Sequence, residues 1–168
     1  MADADVAIEH PNRAKASSKV TRAVVVLLLL ASALLMAIIT VGAWDALVGA
    51  KALQIIYILV YIGLAFMVVR WSRGVLPLAA ALAIVLLIFA LVSVPGWFAR
   101  DKDGFDDPAL AADVVGLLTA LLVPLQVLLI AFAMRGFQQA WHVEVEHPVD
   151  PPPPPLPPAR GGGAPAPA

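Results

Sequence analysis

Four long apolar runs dominate the chain, at about 23–43, 52–69, 75–94 and 110–134. Each approaches or exceeds the roughly 20 helical residues needed to cross a hydrocarbon core about 30 Å thick. None contains Lys or Arg, and the only acid among them is Asp113. Short polar breaks separate the runs, so sequential helices are expected to run antiparallel. The pattern predicts an all-α integral membrane four-helix bundle over 23–134. The remainder divides into a flexible N-terminal segment (1–22), a juxtamembrane segment (135–147) and a disordered Pro/Gly-rich tail (148–168).

Composition agrees with this pattern: 61% of the 168 residues are hydrophobic and 14% charged, and the mean hydropathy is +0.90. Soluble domains carry about 25% charged residues. The enrichment in Ala, Val, Leu, Pro and Gly, with Asn12 as the single asparagine, points to a bacterial source of high GC content. The polar leader before the first run is longer than a signal peptide's n-region, and the run itself exceeds a 7–15-residue h-region. An uncleaved first span is expected.

Lys and Arg placement sets the orientation. Arg13, Lys15, Lys19, Arg22, Arg70, Arg73 and Arg135 fall on one side, against Lys51, Arg100 and Lys102 on the other. Both termini are therefore expected in the cytoplasm, in a multi-pass protein of the cytoplasmic membrane. The net charge of −1 and the lack of a large basic patch give no sign of a nucleic-acid partner. The expected partners are the lipid bilayer and another membrane protein or further copies of the chain.

The acidic loop RDKDGFDDPAL (100–110) resembles the middle of an EF-hand. With Gly104 at the loop's sixth position, Asp101, Asp103 and Asp107 take ligand positions 3, 5 and 9. Positions 1 and 12 then fall on Ala99 and Leu110, so the first ligand and the bidentate Glu are missing. A local reading explains the same residues: Asp107 as the N-cap of the fourth span, with Pro108 at its first helical position. Pro95-Gly96 is expected to end the third span.

Polar side chains inside spans are functional candidates by default. Asp113 lies ~5 Å into the fourth span at 1.5 Å per residue. It shares a broad helix face with Gly116, Thr119, Ala120, Val123, Gln126 and Val127. Gln54, Tyr57 and Tyr61 form a face on the second span, while Thr40 and Ser93 end the first and third on the same side. The expectation is an outward-facing polar vestibule of Asp113, Gln54, Tyr57, Thr40 and Ser93, above a second layer of Ser32, Tyr61 and Thr119. Hydrogen bonds between helices explain the same groups without transport. Pro124, in mid-span, is expected to kink the fourth helix, with Thr119 or water meeting the freed Ala120 carbonyl.

Beyond the spans, Phe137 and Trp141 are expected at the membrane interface. His142, Glu144 and Glu146 alternate in a pattern compatible with weak metal binding or with a solvated edge. Pro155, Pro158 and Arg160 match a P-x-x-P-x-R pattern, which a Pro-rich composition also produces by itself. The chain has no cysteine, which removes disulfide and thiol chemistry. It also lacks intramembrane histidines, a phosphate-binding Gly loop and a nucleophile elbow. The first span lacks the Glu of small multidrug exporters. The expectation is a non-enzymatic accessory or assembly subunit without a cofactor or metal. The alternative is a small transporter or channel component using Asp113 and the polar layer.

Overall fold

The computed structural model describes residues 6–99 and 109–148. Four helices are long and apolar enough to cross a membrane: α2 (Ala16–Gly42), α3 (Lys51–Val69), α4 (Val75–Phe98) and α5 (Ala112–Gln138). A four-residue helix, α1 (Pro11–Ala14), precedes them. By themselves, β1 (Val6–Glu9) and β2 (Val145–Pro148) form a two-stranded antiparallel ladder in which Val6 pairs with Pro148 and Glu9 with Val145. Residues 10–143 form a separate compact unit.

Within that unit α2 is a central helix, packed against both α3 and α5, and α4 packs chiefly on α5. Among consecutive long helices, α3 and α4 touch least. Helices associate in lipid through close approach rather than by expulsion from water, and the tightest pair follows that rule. Ala79, Ala80, Ala83 and Ala90 are buried on α4, and Gly116 and Ala133 on α5. A Cβ at Gly116 would lie 3.0 Å from both the Trp97 Cβ and the Phe98 ring. Gly116→Leu should therefore separate α4 from α5 and lower stability by about 1–3 kcal/mol, the usual cost of overpacking. Thermal unfolding in mild detergent measures that loss. Gly42 allows a similar approach at the end of α2, where the Leu110 N–H donates to the Gly42 carbonyl (3.2 Å).

Leu27, Leu34, Leu59 and Phe66 are 61–67% exposed. In water such side chains would form patches that monomers rarely carry. In lipid they face a matching solvent.

Several boundaries differ from those the pattern predicts. The first long helix starts at Ala16 rather than 23, because Ser18 and Thr21 are buried against other elements. The expected flexible segment 1–22 is to that extent structured. The third long helix continues through Pro95 to Phe98, closed by the Ala99 N–H on the Pro95 carbonyl at 3.1 Å. The fourth begins at Ala112 with Ala111 as N-cap and no side-chain cap. Asp107 and Pro108, read as its cap and first residue, lie outside the described residues, as does the rest of 100–108. The tail beyond Pro148 lies outside them too. The juxtamembrane segment 135–147 is divided between the last turn of α5, a connection and β2.

Candidate functional site

Polar side chains in the bundle form two layers. The deeper one joins three helices. Tyr61 of α3 donates its hydroxyl proton to Gln126 Oε1 of α5 at 2.9 Å. Gln126 Nε2 in turn donates to Ser32 Oγ of α2, also at 2.9 Å. All three residues are 0% exposed. Sequence periodicity placed Tyr61 and Ser32 here but named Thr119 as their companion. The Thr119 hydroxyl instead donates to the Val115 carbonyl on its own helix (2.8 Å). It is therefore committed away from the Ala120 carbonyl, and α5 runs unbroken through Pro124. Gln126 is the centre of the layer. Its two-sided amide bonds one hydroxyl as acceptor and another as donor, and so links α3 to α2.

The second layer lies toward the end of the bundle where α2 and α4 finish and α3 and α5 begin. Thr40 and Gln54 are hydrogen-bonded across the α2–α3 contact, and the Thr40 hydroxyl also reaches the Met36 carbonyl (2.7 Å). Beside them is a cavity of about 240 Å³, lined by residues of all four long helices. Gln54, Tyr57, Ser93 and Thr119 are on its wall, with Phe89 and Trp97 as aromatic neighbours. Tyr57 is 8% exposed and meets Tyr61 edge-to-face with centroids 5.9 Å apart. Rim residues Leu53, Phe89 and Ser93 are exposed, so the mouth opens at the weak α3–α4 seam.

Of the five residues predicted to form a vestibule, Gln54, Tyr57 and Ser93 line this cavity, and Thr40 is bonded to Gln54. Asp113 does not join them. It is exposed on the first turn of α5 and is absent from the cavity wall, so among the described residues the polar layer has no carboxylate there. From Asp113 to Thr119, six residues at about 100° each leave the two ~120° apart around the helix. The broad face drawn through both was too wide. A second, more open recess of about 460 Å³ lies along α2 and Leu110 and is lined only by apolar residues.

The opposite end of the bundle holds a knot of Arg and aromatic residues. Trp141, expected at the interface, is instead 0% exposed. It packs edge-to-face on Trp71 at 5.3 Å, and its indole N–H donates to Gln139 Oε1 at 3.1 Å. Arg22 stacks on Trp71 (4.0 Å) and donates to the Val69 carbonyl. Arg73 stacks on Phe137 (4.1 Å), donates to its carbonyl at 2.7 Å and reaches His142 Nδ1 at 2.9 Å. Arg13 Nε donates to the Trp141 carbonyl (2.9 Å), and Asn12 to that of Ala140. Trp71 and Ala140 both have positive φ, 63° and 49°. Such backbones cost about 1–3 kcal/mol and persist where surrounding contacts fix them. His142 is thus engaged by Arg73, and no group of three potential metal ligands occurs among the described residues.

In comparisons with protein-family models, curated proteins and solved structures, the chain finds no match.

Proposed function

We propose that the chain is a non-enzymatic, four-span protein of the cytoplasmic membrane, with both ends in the cytoplasm, acting as an accessory or assembly subunit. The observation that carries this reading is the position of its charge. A solute or proton path needs polar or ionisable groups that continue through the bundle. Among the described residues the cavity wall has no ionisable side chain except the tyrosine phenol, and the buried Tyr61–Gln126–Ser32 layer is hydrogen-bonded across three helices beneath it. Asp113, the one carboxylate of the spans, stands exposed outside both layers. The orientation is supported by Arg13, Arg22 and Arg73, gathered in one knot at the end where α2 begins and α5 finishes.

Purification of the full chain from its native membrane in mild detergent, followed by mass spectrometry, tests the assignment. A reproducible stoichiometric partner is the expected result, and isolation as the chain alone contradicts it. Asp113→Asn tests the transporter alternative. An exposed substitution of this kind should change stability by less than about 0.5 kcal/mol, with proton or solute flux in reconstituted vesicles unchanged. Loss of flux at normal abundance would restore the transporter reading.

A further inference from the structure

We propose that the cavity between α3 and α4 binds an uncharged lipid-phase molecule, with its apolar body inside the bundle and a carbonyl oxygen accepting a hydrogen bond from Tyr57. The proposal goes beyond an accessory role and rests only on the membrane reading of the chain.

Size comes first. An apolar cavity of about 150 Å³ holds a benzene molecule. At about 240 Å³ this one has room for a substituted ring or a length of chain, but not for an entire lipid. The mouth resolves that mismatch. Leu53 (45% exposed) and Phe89 (50% exposed) flank an opening at the seam where α3 and α4 touch least. Part of a ligand can occupy the cavity while its tail stays among the surrounding acyl chains.

The wall then sets the chemistry. Most lining residues are apolar, so the body of the cavity suits an apolar occupant. Among the described residues no lining side chain is charged at neutral pH, so an ionised head would lose its hydration without a counter-charge from them. The polar groups present are few and specific. Gln54 accepts from Thr40 through Oε1 alone, so its amide N–H2 and the Ser93 hydroxyl are further polar groups on the wall, while Thr119 donates to Val115. Tyr57 differs from Tyr61 beneath it, because no described residue is hydrogen-bonded to its hydroxyl. Lining the cavity, the Tyr57 phenol can donate to an acceptor that a ligand brings. Phe89 and Trp97 add flat faces to the wall.

Two kinds of membrane molecule present this chemistry, the ester carbonyl of an acylglycerol and the ring carbonyl of a prenylated quinone. The test uses the full chain in vesicles of phosphatidylcholine and phosphatidylglycerol, with photoactivatable diazirine probes. The probes are a monoacylglycerol, a benzoquinone with a short isoprenoid tail and, as the charged counterpart, a fatty acid. The expected result is saturable labelling of residues 50–57 and 86–97 by at least one neutral probe, with no saturable labelling by the fatty acid. Whichever neutral probe saturates identifies the source of the carbonyl. Tyr57→Phe should weaken apparent affinity about fivefold, equivalent to one ~1 kcal/mol hydrogen bond. Ala90→Phe, which fills the cavity, should abolish saturable labelling. If that variant fails to reconstitute, Tyr57→Phe decides alone, since it keeps the ring and removes one oxygen. Labelling that never saturates, labelling shared equally by the fatty acid, or a Tyr57→Phe variant with unchanged affinity would each overturn the site. Alkaline carbonate extraction of the same vesicles separates the two claims. A protein stripped off by carbonate defeats the membrane reading, whereas one that remains and labels without saturation defeats only the site.

Discussion

Trp141→Ala should lower the stability of the protein in mild detergent by about 3–5 kcal/mol, the cost of removing a buried Trp side chain. Typical domains are stable by only about 5–15 kcal/mol, so the variant should unfold at a markedly lower temperature. The effect is large because Trp141 lies beyond the apolar part of α5, where burial withdraws its surface from water rather than from lipid. Its loss also removes the edge-to-face partner of Trp71 and the donor to Gln139. Gln139 in turn holds Thr21 at 3.0 Å on α2. Trp141→Phe keeps an aromatic ring in the site and should retain most of the stability. If Trp141→Ala melts with the wild type, the knot is not a structural element.

Gln126→Leu carries the second largest expected effect, about 2–4 kcal/mol. The substitution conserves approximate volume but orphans two buried hydroxyls, those of Tyr61 and Ser32, at about 1–3 kcal/mol each. Hydrogen bonds between membrane helices are worth less when both partners can find alternatives, averaging about 0.6 kcal/mol. Tyr61 and Ser32 have few alternatives, being 0% exposed on facing helices. Ser32→Ala combined with Gln126→Leu should recover part of the loss, because it removes one orphan together with its former partner. A thermal-unfolding comparison of the two single variants and the double variant reads the coupling directly. Strict additivity would mean that Gln126 and Ser32 act independently.

How much of this was legible in the sequence depended on the range of the signal. The four long helices were legible because a run of about 20 apolar residues has few other readings. Their ends were not, since each is fixed by a partner far along the chain. The early start of α2 depends on Gln139 bonding Thr21, and the start of α5 coincides with Leu110 closing on Gly42. Gln54, Tyr57 and Ser93 were found because helical periodicity and depth agreed on where they would meet. Asp113 was misplaced because a charge inside an apolar run draws attention whichever way it points. Gln126 was visible as a face residue, but its central role depended on Ser32, 94 positions away. Trp141 carries no sequence mark distinguishing it from an interfacial aromatic. Its burial requires Trp71, which reaches it only through a positive-φ turn. The ladder of β1 and β2 joins two four-residue strands, too short for alternation to declare them.

The four-span arrangement itself is open to a direct measurement, because the chain has no native cysteine. Single cysteines replacing Asp45, Ser72 and Glu144 can be probed in whole cells with a membrane-impermeant maleimide. The account predicts that Asp45→Cys is labelled in intact cells, while Ser72→Cys and Glu144→Cys are labelled only after permeabilisation. Labelling of Asp45→Cys and Ser72→Cys from the same side would show that α3 does not cross the membrane and would contradict the account. The reverse pattern, with Ser72→Cys and Glu144→Cys accessible from outside, would contradict the orientation drawn from the Lys and Arg positions.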